Sequence, residues 1–285
     1  MKKHRELPTP GPSQCHPSVK REDHGCLPID VLTGASKKLG IHGVGGSIQG
    51  LSGSTLRASV LKALGLPPNA GERTLLTALV PLGASPTLEK RLRPAMPASW
   101  KSDPDMWLDS TNIEACLSQW EEARPDFEFM GPFPIDFAAP DPYKRGPQGE
   151  KKCLMTEMCG LRVRTAMENG TKYIGIVYNL DPHYKSGSHW VANFIDIPKG
   201  ACYYFDSYGM APPKQVATFM KWLTTQGIKN LYYNARRLQY KNTECGVYCI
   251  FFIIRMLLGD DLKTFARRKP TDEEMLAKRK ELFSD

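Results

Sequence analysis

The chain has 285 residues, with 38 Lys plus Arg against 30 Asp plus Glu and 41% hydrophobic residues. That balance excludes collagen, coiled coil and wholesale disorder, and leaves room for one large domain or two modest ones. No run approaches the roughly 18 consecutive apolar residues of a membrane span. Met1-Lys2-Lys3-His4-Arg5 leads into no apolar signal segment, so the sequence reads as leaderless and unanchored. The net charge of +8 favours weak attraction to anionic surfaces, which admits contact with DNA or another polyanion without requiring it.

In chain order, residues 1–46 read as a flexible Pro/Gly-rich arm. Pro8, Pro10, Pro12, Pro17 and Pro28 stand among mixed charges that bury too little apolar surface to offset chain ordering. The glycines from Gly43 to Gly53 lack the Lys-Ser/Thr of a phosphate loop and read as a turn. Residues 47–102 read as a small helical accessory region and linker. Ser54 caps a helix carrying Leu56, Val60, Leu61 and Leu64, and Leu75, Leu76, Leu79 and Val80 mark a second. Pro81, Pro86, Pro94 and Pro97 then interrupt the pattern.

Residues 103–285 read as the main domain. Asp109 or Ser110 caps a helix with Ile113, Leu117 and Trp120 on one face, and Pro125 to Pro142 reads as an irregular connection. Tyr173–Leu180, Trp190–Ile197 and Cys202–Phe205 are strand candidates, with Pro198, Lys199 and Gly200 turning between the last two. Pro212 and Pro213 open a helix with Val216, Phe219, Met220 and Leu223, and Leu231–Asn234 is a further strand. Cys245–Leu258 is apolar nearly all round, the pattern of a buried helix, and Thr271 with Glu274 forms a capping box for the last helix. The class is α+β, a short mixed sheet flanked by helices, with an N-terminal helical extension.

The eight cysteines contain no C-x-x-C pair, and a chain this long needs no staples, so they read as thiols. Cys15, His16, His24 and Cys26 are the one set that could be gathered into four metal ligands. They lie in a segment rich in Pro and charge, and no metal or other cofactor is assigned.

The chemistry is carried by His189, Asp206, Gln239 and Cys245. If the strands on either side of Pro198–Gly200 pair as a hairpin, His189 and Asp206 share its open end, where the carboxylate holds the imidazole's tautomer. Cys245 begins the buried helix, where unpaired N–H groups favour a thiolate. Gln239 and the Cys245 N–H are candidate oxyanion donors. Gly246 removes a side chain that would crowd an approaching backbone. Singly, each reads as ordinary: an inert core Cys, a packed surface His, a turn Asp. His183 is a rival base, but it lies in a looser Pro-Tyr-Lys-Ser-Gly setting.

The spelling of the set changes that balance. Ser188-His189-Trp190, Phe205-Asp206-Ser207-Tyr208, Gln239-x5-Cys245-Gly246 and the upstream Met106-Trp107-Leu108-Asp109 resemble the ubiquitin-like-protein-specific (SUMO) protease family of cysteine peptidases. The resemblance implies an adenain-like fold, thiol peptidase activity and catalytic roles for His189, Asp206, Gln239 and Cys245. It also implies a Gly-Gly channel walled by Trp107 and Trp190, whose indoles exclude a Cβ. The N-terminal extension and the Gly-Pro-Phe-Pro-Ile-Asp-Phe run are more similar to the proteases of large cytoplasmic DNA viruses of the African swine fever virus type. The expected function is therefore cleavage after Gly-Gly in viral structural polyproteins during virion maturation, in host cytoplasm and virion. The rivals are removal of SUMO or ubiquitin-like modifiers in cytoplasm or nucleus, and a Cys-dependent acyltransferase or inactive binding module on the same fold.

Overall fold

The computed structural model describes residues 15–20, 22–41 and 51–285. The expectations for residues 1–14 and for most of the Gly43–Gly53 stretch lie outside the described residues. Two compact units emerge, Met1–Pro104 with Ala277–Asp285, and Asp105–Leu276.

The first unit is built on α1 (Ile29–Lys38), α2 (Gly53–Ala63) and α3 (Glu72–Leu79). Leu27, Leu32, Leu56, Val60, Leu61, Leu75, Leu76 and Leu79 form its core. This corrects the flexible-arm expectation for residues 29–38: composition hid a helix because its apolar positions are few but suitably spaced, with Leu32 and Ala35 buried. The cap of α2 is Ser52, whose side chain accepts from Thr55 N; Ser54, the expected cap, already lies inside the helix. Buried Glu72 pairs with Arg57 at 2.6 Å and accepts from Cys26 N at 3.0 Å. The C-terminal residues also belong here and not with the main domain: Phe283 packs edge-on to Trp100, and Ser284 N donates to Pro94 O at 2.8 Å. The thiol reading is corrected at four positions, because Cys15–Cys26 and, in the second unit, Cys153–Cys159 form disulfides. Chain reversals bring each pair together, and spacing alone does not reveal them. Cys116, Cys202, Cys245 and Cys249 stand outside these two disulfides and are buried.

The second unit holds β1 (Phe127–Pro134), β4 (Tyr173–Asn179), β5 (Trp190–Asp196), β6 (Ala201–Phe205) and β7 (Asn230–Tyr233) in one sheet, ordered β1-β4-β5-β6-β7. The outer pairs β1–β4 and β6–β7 are parallel and the inner two antiparallel. A separate small hairpin joins β2 (Pro140–Arg145) to β3 (Lys151–Cys153). β1 occupies part of the stretch expected to be irregular. Its Pro132 and Pro134 disguised it, but an edge strand tolerates proline on its unpaired side, and Phe127, Met130 and Phe133 supply buried side chains.

Every residue of β5 is buried, as in a central strand covered on both faces. One face packs with α5 (Thr156–Gly160), α6 (Val163–Glu168) and α7 (Lys214–Thr225) through Met158, Val163, Val216, Phe219 and Leu223. The other meets α8 (Cys245–Leu257), in which every residue is buried, while α4 (Ser110–Ala123) packs on both β1 and α8. Asp109 caps α4 through a capping box with Asn112. The chain then forms α9 (Leu262–Arg268) and α10 (Asp272–Leu282), the latter preceded by the reciprocal Thr271–Glu274 bonds.

The last turn of α8 is tied by Arg255, fully buried, to Asp260 through two bonds of 2.8 Å. Removing Asp260 takes away the carboxylate that faces this buried guanidinium. Asp260→Ala is expected to lower stability by about 3–5 kcal/mol in urea titration, and the Arg255→Met, Asp260→Leu double variant by less.

Candidate active site

The site sits where the open end of the β5–β6 hairpin meets the first turn of α8. The pairing ends with Ala192 opposite Phe205, so Asp206 comes level with Val191, close beside His189. His189 Nε2 lies 2.8 Å from Asp206 Oδ1, and both side chains are buried. That contact leaves Nδ1 for the Cys245 thiol, which lies within hydrogen-bonding reach of the imidazole. Burial opposes the imidazolium, but the bonds to Asp206 and Cys245 outweigh it and raise the His189 pKa to about 9. Cys249, one turn further along α8, is enclosed, and burial holds its thiol protonated far above the usual range.

Asp206 is itself held. Its Oδ1 accepts from Tyr208 N at 2.8 Å, and buried Asn234 brackets its backbone, accepting from Asp206 N at 2.9 Å and donating to Asp206 O at 2.7 Å. Tyr208 lies parallel to the imidazole, ring centroids 4.6 Å apart. Gln239 is fully buried. Ser207 Oγ donates to its Oε1 at 2.6 Å, which leaves Nε2 buried without a partner. An unpaired buried amide is costly unless an acceptor arrives, and this one has its acceptor end already engaged. Asp272 pins the following loop by accepting from Tyr240 N and Lys241 N, both at 2.9 Å.

The four residues expected to carry the chemistry thus stand in one cluster. Sequence reasoning missed Ser207, Tyr208, Asn234 and Asp272. The Asp206-Ser207-Tyr208 run was on view, but nothing local signalled that Ser207 reaches Gln239.

Trp107 and Trp190 line a common cleft of about 410 Å³ with Leu108, Pro132 and Ser188. Trp190 is a nearly buried wall whose Nε1 donates to Leu108 O at 2.9 Å, whereas Trp107 is 41% exposed. At Gly246 a Cβ would meet Leu108 Cβ at 3.0 Å and Trp190 Cδ1 at 3.3 Å, so the glycine lets α8 pack under the cleft wall. His183, the rival base, also lines the cleft, but its Nδ1 is engaged by Asp136 Oδ2 at 2.7 Å. Cys15 and Cys26 are joined, His16 Nδ1 meets Ser18 and His24 Nδ1 meets Asp23, so these four side chains are engaged with other partners. Among the described residues no group of three or more His, Cys, Asp or Glu is placed to hold a metal ion, and no helix is long and apolar enough to cross a membrane.

Nucleophile, base and amide gathered beside a cleft is the chemistry of a cysteine peptidase. The model of the Ulp1 protease family C-terminal catalytic domain matches residues 165–285. A SUMO-1 cysteine protease of African swine fever virus (isolate Pig/Kenya/KEN-50/1950) is 31% identical over 185 residues, 62% of this chain and 67% of that protein. An Acanthamoeba polyphaga mimivirus protein described as a thiol protease is 34% identical over 165 residues, covering 54% of this chain. The match spans 49% of that mimivirus protein, about half its length. The crystal structure of an African swine fever virus protease superposes with a TM-score of 0.67 at 23% identity, covering 96% of this chain and 97% of that one. The chain belongs to the Ulp1 protease family of cysteine peptidases and has its mixed-sheet, helix-flanked fold.

In ring-proton NMR titration, His189 is expected to lose its proton near pH 9, and Asp206→Asn to move that midpoint down. An unchanged midpoint in the variant would contradict the role given to the 2.8 Å bond.

Proposed function

We propose that the chain is an endopeptidase that cuts after Gly-Gly, processing viral structural polyproteins during virion maturation in the host cytoplasm and virion. The observation that carries the reading is the partnerless Gln239 Nε2, whose amide is held by Ser207, the neighbour of Asp206 in the His189–Asp206 pair. A buried donor aimed by Ser207 and left open has the properties of an oxyanion ligand.

In the proposed reaction His189 already holds the proton below about pH 9, and the Cys245 sulfur beside this imidazolium attacks the scissile carbonyl carbon as a thiolate. Gln239 Nε2 and the Cys245 N–H, free at the first turn of α8, receive the developing oxyanion. His189 then protonates the leaving amine as the C–N bond breaks, and the fragment after the scissile bond departs. Water, giving one proton to His189, attacks the thioester; the sulfur leaves as thiolate beside the restored imidazolium and the acid product is freed. Asp206 keeps the ring oriented and the imidazolium stabilised throughout. Trp107 and Trp190 face one cleft, which supports selection of glycine on the acyl side, because rings closing on a backbone exclude a Cβ.

Removal of a ubiquitin-like modifier is the second reading. It uses the same catalytic groups, and relatives described as SUMO-1 cysteine proteases favour it. In either case the partner is a protein substrate; the basic surplus also permits contact with DNA or another polyanion.

Cys245→Ala is expected to abolish cleavage of a peptide carrying Gly-Gly before the scissile bond, and persistence of parent-like cleavage would end the reading. For the parent enzyme, kcat/KM is expected to fall as pH rises through about 9, where His189 loses the proton it must donate. Trp107→Ala is expected to narrow the preference for Gly-Gly over Gly-Ala peptides about tenfold. Products from polyprotein fragments and from intact modifier conjugates, compared by mass spectrometry, separate the two readings.

A further inference from the structure

Arg237 lies on the loop between β7 and α8 with an exposed side chain. The ordinary reading of such a residue is a solvated surface charge, but its contacts run to both halves of the site. The guanidinium carbon stands 5.3 Å from the centroid of the Tyr208 ring and 5.0 Å from that of Tyr240. Its Nε donates to Gln239 O at 2.8 Å. Tyr208 is the ring stacked on His189, and Tyr240 directly follows Gln239.

The Gln239 peptide is thereby bonded at both ends, its N–H to Ser207 O at 3.0 Å and its C=O to Arg237. The side-chain amide is aimed by Ser207 Oγ. A third observation, independent of the side-chain contacts, concerns the backbone. The Asp206–Gly209 turn runs so close to residues 236 and 237 that a Cβ on Gly209 would lie 2.5 Å from Arg236 C and 2.7 Å from Arg237 N. Gly209 also has φ +74°, so the turn and the Arg237 segment fit together only with glycine there.

We infer that Arg237 is a positioning residue for the oxyanion donor, clipping the base's stacking partner, Tyr208, to the loop that carries Gln239. The inference rests on the cysteine-peptidase reading above. A planar fork suits the place: it stacks against aromatic rings while an in-plane N–H reaches a carbonyl, and a lysine ammonium supplies the charge without either geometry. Catalytic donors misplaced by about 1 Å lose most of their effect, because an oxyanion bond is made only in the transition state.

The test compares the full-length parent with Arg237→Ala and Arg237→Lys on the Gly-Gly peptide, and measures the rate at which iodoacetamide alkylates Cys245 in each. Alkylation needs the sulfur and the imidazole but no oxyanion donor. The expected result is a fall in kcat of about tenfold or more in Arg237→Ala with KM within about twofold, parent-like alkylation, and little recovery in Arg237→Lys. Unchanged kcat in Arg237→Ala, full recovery in Arg237→Lys, or a loss of alkylation that matches the loss of kcat would each overturn it, the last because the whole pocket would then have collapsed. A parent without Cys245-dependent cleavage would overturn the peptidase reading as well, so the two failures are distinguishable.

Discussion

The hydrogen bond from His189 to Asp206 is the contact on which the site is organised. It is 2.8 Å long, buried on both sides, and it spans the hairpin end, where one ring nitrogen is taken up so that the other faces Cys245. Burial alone would strip the proton from this imidazole. The carboxylate and the thiol reverse that tendency, and the sheet supplies the rigidity that keeps all three groups at the required separation. Asn234, bonded to both the N–H and the C=O of Asp206, extends this control to the strand end itself.

The second half of the site depends on a different kind of constraint. Gln239 lies on a loop with no repeating hydrogen-bond ladder, so each of its polar groups is placed one at a time. Ser207 takes the side-chain oxygen, the Ser207 carbonyl takes the backbone N–H, and Asp272 gathers the next two amides. Such an arrangement is costly to leave half made, and every group in it except Gln239 Nε2 has found a partner. That single omission gives the cluster its chemical direction.

Much of the second unit was legible because its signals are local. The helix cap at Asp109 or Ser110, the turn through Pro198–Gly200, the β-rich runs and the continuous apolar helix from Cys245 all arise from interactions within a few residues. The misses follow a pattern. β1 was hidden by prolines that only an edge position excuses, α1 by a composition argument that averages over a few well-spaced apolar residues, and the disulfides by reversals of the chain. The atoms that a Cβ on Gly246 would meet, on Leu108, Trp190 and Ile113, come from distant segments and leave no local sign.

By itself, the sequence determined which residue types were present to do chemistry, where most helices and strands of the second unit begin, and that His189 and Asp206 share a hairpin end. Tertiary structure alone decided that Ser207 reaches Gln239, 32 positions away, that Asn234 reaches Asp206 across 28, and that Trp107 and Trp190 face one cleft. The reason is physical. Capping, turn formation and periodic burial act over distances that the chain itself sets, whereas bonds between distant segments exist only after the core has brought those segments together, and no local pattern encodes which partner will be there.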